Sequence, residues 1–349
     1  RMEYFWMYVL FAVGIVLIVK GGDWFVDGAV WVAEVTGIPK FIIGATIVSI
    51  ATTLPEIIVS TIAAVEGHEI LRSGVENAVA ASQDRVGMAI GNGIGSVICN
   101  TAMILAIGVI FMPIAIKRKD FTPKALLLTA AVTALFLLSL RGSLSLLGAF
   151  VLLAIFALYI AENLRSAKTA DGGQSSTEAV PATDKKSVIC NLLRVVVGAA
   201  AIVAGSQLLV KNGGKIAASW GVSEAIIGVT IVAVGTSLPE LVTAVTSIIK
   251  KQSSMSIGNV IGANVIDTTL ILSVCAFVYG GKLPVSAQNI YLDFPVAILV
   301  TGIAVIPTIL CRRFKRWQGI VLLGIYLAYL VTVTVGLGWY LSLFGISAG

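Results

Sequence analysis

The sequence predicts an all-α integral membrane protein of ten transmembrane helices, arranged as two inverted five-helix repeats with broken helices at the midplane. Three observations carry that prediction. The chain of 349 residues is 58% hydrophobic and 12% charged, with a mean hydropathy of +0.99, whereas soluble domains carry about a quarter charged residues. Apolar runs of roughly 20 residues, each long enough to cross a bilayer as a helix, recur along its whole length. The chain is also written twice. Residues 42–56 (IIGATIVSIATTLPE) match residues 226–240 (IIGVTIVAVGTSLPE) at 10 of 15 positions. Residues 90–105 (IGNGIGSVICNTAMIL) match residues 257–272 (IGNVIGANVIDTTLIL) at 8 of 16. Two blocks in the same order in each half mean an internal duplication.

Taken in order, the first five spans cover about 4–34, 39–66, 86–112, 123–140 and 143–164. The first is too long for a signal peptide and lacks the small-residue cleavage pattern, so it is expected to be a retained span. Residues 166–187 are polar and rich in Gly, Ser, Thr and Ala, which predicts a flexible linker. The second five spans cover about 189–219, 223–250, 254–281, 288–311 and 317–343. The linker therefore divides a first repeat (1–165) from a second (188–349). Five is odd, so the repeats insert in opposite orientations. One set of loops collects sixteen basic residues, among them Lys117, Arg118, Lys119, Lys185, Lys186, Arg312 and Arg313; the opposite set holds about seven. The positive-inside rule then makes the linker cytoplasmic and puts both termini outside, in a prokaryotic-type cell membrane.

The same reading excludes other classes. The net charge of +6 is accounted for by topology, so no nucleic-acid partner is expected. Cys99, Cys190, Cys275 and Cys311 show no C-x-x-C spacing, which indicates neither a zinc site nor a disulfide framework. His68 is the only histidine and is expected in a loop. No nucleophile–base pair is visible, so the chain is not read as an enzyme and needs no prosthetic group. The connection between spans two and three is 17 residues longer than its counterpart and carries Glu66, Glu69, Glu76 and Asp84. It is expected to be a solvated, partly helical loop.

Chemistry concentrates in the repeated blocks. A carboxylate inside the bilayer costs at least about 2.5–3.5 kcal/mol, yet Glu56 and Glu240 each sit near the middle of an apolar span. The proline before each removes a helical donor and bares carbonyls near Ala51 and Gly235. Thr52, Thr53, Thr236 and Ser237 add hydroxyls on the same short stretches. In the second block Ser96 and Asn100 share a helix face, as do Ala263 and Asp267; Asn92 and Asn259 are further matched polar residues. Irregular backbone at membrane depth is tolerated where it is buried or lines a cavity, the pattern of inverted-repeat transporters. Carboxylate, hydroxyl and carbonyl oxygens without His or Cys suit hard cations such as Ca²⁺ and Na⁺. The competing structural reading, a proline kink whose glutamate pairs with Lys20, cannot serve both halves. Asp23, Asp27 and Glu34 on the first span, and Lys211 and Lys215 on its partner, are expected to snorkel or pair locally. The glycines of GNGIGS and GNVIGAN lack a G-K-[ST] ending and read as close helix packing.

These blocks resemble the cation/Ca²⁺ antiporter superfamily, most closely its sodium/calcium exchanger branch, whose repeats look like G-T-S-L-P-E followed by G-N-x-x-G-S-N-x-x-[ND]. Here they read ATTLPE and GNGIGSVICN, then GTSLPE and GNVIGANVID. The resemblance implies antiport of Ca²⁺ against Na⁺ by alternating access, with ions held by spans two, three, seven and eight. Carried over, Glu56 and Glu240 match the Ca²⁺-binding glutamates, and Thr52, Thr53, Thr236 and Ser237 the hydroxyls beside them. Ser49 and Ala233 match positions whose backbone carbonyls bind Na⁺. Asn100 and Asp267 match the central amide and carboxylate, and Ser96 a Na⁺-coordinating serine. Ala51, Thr53 and Ala263 depart from the pattern, and the hydroxyl missing at Ala263 bears on one Na⁺ subsite and so on stoichiometry. An H⁺/Ca²⁺ antiporter of the same fold is the alternative, although its G-N-A-x-E acid is missing from GNGIG and GNVIG. A cation channel is the third reading, disfavoured because the chain holds its symmetry within itself, which also suits a monomer.

Overall fold

The computed structural model describes residues 2–74, 77–112, 114–170, 183–220 and 233–346. Its apolar helices are α1 (Phe5–Thr36), α2 (Lys40–Ser73), α3 (Ala78–Phe111), α4 (Arg118–Ser139), α5 (Leu146–Thr169), α6 (Lys185–Ser219), α7 (Leu238–Ile249), α8 (Ser253–Tyr279), α9 (Asn289–Cys311) and α10 (Arg316–Ser342). Among the described residues, all but the 12-residue α7 are long and apolar enough to cross a membrane. The first part of the expected seventh span, residues 223–232, lies outside the described residues, as do 171–182 of the linker. The linker's ends are helical, belonging to α5 and α6, and Asp184 caps α6 by accepting from the Ser187 amide at 3.3 Å.

Large apolar side chains point outward, Leu147 at 74% and Val335 at 85% exposure, while serines, threonines and asparagines are buried. That is the arrangement expected where lipid, not water, is the surrounding solvent and small residues let helices approach. The chain forms two compact units, residues 1–53 with 163–262 and residues 54–162 with 263–349. Each draws elements from both sequence repeats.

In the first unit α1 and α6 run antiparallel along their length. Gly14 faces Gly205, Gly21 faces Gly198, and Gly28 faces Asn191 and Val195. A Cβ added at Gly21 would lie 2.9 Å from the Gly198 carbonyl oxygen, so the seven-residue glycine spacing is what lets these backbones touch. The start of α2 lies along the start of α8 in the same way, with Gly44 against Met255 and Gly258 against Phe41. Phe25, Val26, Ala29, Ile43, Val48, Ile202 and Met255 fill the apolar core between them.

In the second unit α3 and α8 also run antiparallel. Asn264 meets Thr101, Gly93 meets Asp267 and Leu272, and Ser82 meets Tyr279. Spans one and six, and spans three and eight, are equivalent members of the two repeats. Their antiparallel pairing is the inversion that an odd number of spans requires. The loops repeat the relation. Strand β1 (Ser143–Leu144), between α4 and α5, pairs antiparallel with β2 (Leu283–Pro284), between α8 and α9. Ala115, between α3 and α4, bridges Arg313, between α9 and α10. Pro307 deprives the Ile303 carbonyl of its helical donor, and the buried Gln318 amide supplies one at 2.9 Å.

The long connection between α2 and α3 is helical almost throughout. Both helices extend past the apolar stretch, α2 ending just before Gly74 and α3 beginning just after Asn77, both of which are at positive φ. Arg85 closes on Glu66 at 2.9 Å across this hairpin; Glu76 lies outside the described residues. His68 is therefore not in a loop. It stands on α2 with its ring edge-on to Tyr279 at 5.9 Å.

Candidate functional site

The Leu-Pro-Glu block takes two forms. In the first copy a π-helical turn, Gly44–Val48, precedes a helix that runs from Ser49 through Pro55 to Ser73. Pro55 has no N–H, so the Ala51 carbonyl has no donor at that position, and the π turn has already displaced the ladder just upstream. In the second copy a helical turn, Ala233–Thr236, stops at Ser237 and α7 restarts with Pro239 in its first turn. Pro at that position costs nothing, because its missing donor would be unsatisfied in any case.

In the first unit the buried groups form a connected set. Thr53, from the first copy, donates its hydroxyl to Glu240 Oε1, from the second, at 3.3 Å. Both are sealed from solvent, Glu240 at 1% exposure. Thr52 donates to Asn259 Oδ1 and to the Ser49 carbonyl, each at 3.3 Å. The Asn259 amide donates to Thr243 at 2.9 Å, and Thr243 donates to the Pro239 carbonyl at 2.9 Å, the carbonyl preceding Glu240. Ser49 and Ser237 are buried, and Thr236 is half-buried. Of Ala233 only the backbone is described, in the helical turn before the break.

In the second unit Glu56, Asn100 and Asp267 are each 1% exposed. The Asn92 amide donates to Ser60 at 2.9 Å and to the Glu56 carbonyl at 3.4 Å, tying α3 to the segment of α2 that carries the glutamate. Asn100 opens a π-helical turn, Asn100–Leu105, and Asp267 lies in the matching turn Ile266–Ile271 of α8. Such turns are frequent at functional sites, and the chain has two more outside the repeated blocks, Asn289–Asp293 and Thr332–Gly336. Neither amide atom of Asn100 has a hydrogen-bond partner among the described residues. Ser96, one turn before Asn100, is buried.

The structure thus joins Thr52, Thr53, Ser49 and Glu240 in one unit, and buries Glu56, Ser96, Asn100 and Asp267 in the other. Among the described residues no three His, Cys, Asp or Glu side chains cluster. Lys20 is exposed on α1. The outer charges pair locally, Lys250 with Asp27 at 2.6 Å and Asp23 at 3.4 Å, and Lys40 with Glu34 at 3.0 Å. Sequence reasoning missed Thr243, Ser60, Thr101 and Asn264. Two of them carried a signal, Thr101 in its identity with Thr268 of the second copy and Asn264 in its match to the asparagine of G-N-x-x-G-S-N.

The sodium/calcium exchanger protein family model matches residues 6–164 and 191–335. MJ0091, an uncharacterised membrane protein of Methanocaldococcus jannaschii, is 30% identical over 332 residues, covering 93% of this chain and 97% of its own. The sodium/calcium exchanger MaX1 of Methanosarcina acetivorans is 27% identical over 361 residues, covering 93% and 98%. A solved structure of the sodium-calcium exchanger NCX_Mj, soaked with Na⁺ and Sr²⁺, superposes with a TM-score of 0.77 at 27% identity, covering 95% of this chain and 99% of its own. A transporter and not an enzyme, this chain belongs to the sodium/calcium exchanger family.

Proposed function

We propose that the chain is a secondary antiporter that exchanges Na⁺ for Ca²⁺ by alternating access, with Glu56, Glu240, Asp267, Asn100, Ser96, Thr52, Thr53, Thr236 and Ser237 as side-chain ligands and the carbonyls of Ser49 and Ala233 as backbone ligands. The observation that carries the reading is the hydrogen bond from Thr53 to the buried Glu240 carboxylate. It brings a hydroxyl from one repeat onto the carboxylate of the other, at a depth where an unused charge would be costly. Several carboxylates overbind a single Na⁺ but suit one Ca²⁺ or several Na⁺. The two ions therefore compete for overlapping oxygens, and occupancy by one excludes the other. The ions are substrates, and no prosthetic group takes part. The names of MaX1 and NCX_Mj support Na⁺ as the driving ion, as does the lack of an acid within GNGIG and GNVIG. The basic-residue asymmetry supports a cytoplasmic linker with both termini outside, in the cell membrane of a prokaryotic-type cell. One chain carries both repeats, so a monomer suffices.

The test is uptake of radioactive Ca²⁺ into proteoliposomes loaded with Na⁺, with K⁺, or with a proton gradient alone. Na⁺-dependent uptake lost in Glu56→Gln and Glu240→Gln supports the exchanger. Uptake driven by the proton gradient without Na⁺ moves the assignment to H⁺/Ca²⁺ antiport. Uptake with no counter-ion gradient indicates a channel.

A further inference from the structure

Asn264 lies in the second block at a position where the first copy has Val97. It is completely buried, and its amide nitrogen donates to the Thr101 hydroxyl at 2.7 Å. Thr101 directly follows Asn100, and Asn264 precedes Asp267 by three residues, so both lie on one face of α8. The carbamoyl oxygen of Asn264, however, has no hydrogen-bond partner among the described residues, and neither has the amide of Asn100. A buried acceptor without a donor is costly, and native proteins rarely keep one without a use. Ala263, immediately before it, is the position where the first copy carries the Ser96 hydroxyl.

We infer that Asn264 Oδ1 is a cation ligand that makes up for the hydroxyl missing at Ala263, and that it serves Na⁺ more than Ca²⁺. A neutral amide oxygen adds coordination without adding charge. That favours a monovalent ion, whereas the divalent ion draws most on the carboxylates. Thr101 is the positioning residue that holds the amide nitrogen and leaves the oxygen available. The inference rests on the Na⁺-coupled reading given above.

The experiment measures the Na⁺ and Ca²⁺ concentrations for half-maximal exchange in the parent protein, Asn264→Ala, Asn264→Ala with Ala263→Ser, and Thr101→Val. Asn264→Ala is expected to raise the Na⁺ requirement about tenfold, the loss of one neutral oxygen ligand, and the Ca²⁺ requirement less than about twofold. Ala263→Ser in that background is expected to recover most of the Na⁺ response, which a packing role for Asn264 would not allow. Thr101→Val keeps the shape and removes the aiming bond, so a smaller shift in Na⁺ alone is expected; it also serves if Asn264→Ala fails to fold. An unchanged Na⁺ requirement, equal shifts for both ions, or no recovery with Ala263→Ser overturns the inference and leaves the exchanger reading intact. If the parent shows no Na⁺ dependence, the exchanger reading itself fails, whatever the variants do.

Discussion

The two copies of the Leu-Pro-Glu block share ten of fifteen residues and yet fold differently. In the first, helix continues from Ser49 through Pro55, after a π turn; in the second, the helix stops at Ser237 and restarts at Leu238. The difference follows from small substitutions. Gly235 stands where the first copy has Ala51, and glycine costs a helix interior roughly 0.5–1 kcal/mol relative to alanine. With the donor lost to proline as well, the second copy has less holding the turn together. Matched chemistry is thus mounted on one continuous and one interrupted helix, and each glutamate is buried all the same.

The strongest way to sharpen that comparison is to neutralise each glutamate. Glu56→Gln and Glu240→Gln are both expected to lower Na⁺-driven Ca²⁺ uptake by at least about a hundredfold, on the scale of the ~3–5 kcal/mol for breaking a buried charge pairing. Equal losses would mean that the backbone difference does not divide the chemistry. A Glu56 variant retaining a tenth of the parent rate would break the equivalence of the copies. Next comes the proline. Pro239→Ala returns a donor to the Gly235 carbonyl and lets helix grow across Ser237, so a rate loss between about ten- and a hundredfold is expected. Pro55→Ala acts on a helix that is already continuous. It should raise thermal stability and change the rate less than about threefold.

Smaller effects test the connected set around Glu240. Thr53→Ala leaves Glu240 Oε1 without the hydroxyl 3.3 Å away. Hydrogen bonds to charged groups are worth about 1.5–3 kcal/mol, so the Ca²⁺ needed for half-maximal uptake should rise about tenfold. Thr52→Val removes the donation to Asn259 and to the Ser49 carbonyl, each at 3.3 Å, together with a hydrogen bond toward Glu240 that it shares with Thr53, and should shift it about fivefold. Thr52 outweighing Thr53 would show that the Asn259–Thr243 chain, not the glutamate's own donor, sets the affinity.

Much of this was legible in the chain. The spans, the duplication and the buried carboxylates are encoded locally, in hydropathy and in residues that have no business in an apolar run. The inversion was legible too, because an odd span count and the loop charges both demand it. What escaped was set by tertiary contact. Nothing local in the sequence ties Asn92 to Ser60 or Asn264 to Thr101, since these bonds join residues 32 and 163 positions apart. The Glu66–Arg85 stretch reads as solvated and partly helical from its charges, and it is helix on both sides of Gly74 and Asn77 with most of its described residues exposed. His68 escaped, being assigned to a loop where the chain is helical.

The far ends of the two copies give the last and smallest contrast. Lys250, which ends the second, occupies the place of Glu66 in the first. Lys250 reaches back to Asp27 and Asp23 on α1, whereas Glu66 pairs with Arg85 on α3. Each pair holds its helix to a neighbour in its own unit, with opposite charge at the equivalent position. All these side chains are at least a quarter exposed, Lys250 at 25%, Asp27 at 48% and Glu66 at 40%. Exposed pairs are worth about 0–1 kcal/mol and are screened by salt. Asp27→Asn and Glu66→Gln should each change the uptake rate less than about threefold, with the difference vanishing near 1 M salt. A larger, salt-resistant loss in Asp27→Asn alone would mean that the stretch from Ser237 to Lys250, cut off from helical support at its start, depends on α1 to stay in place as its continuous counterpart does not.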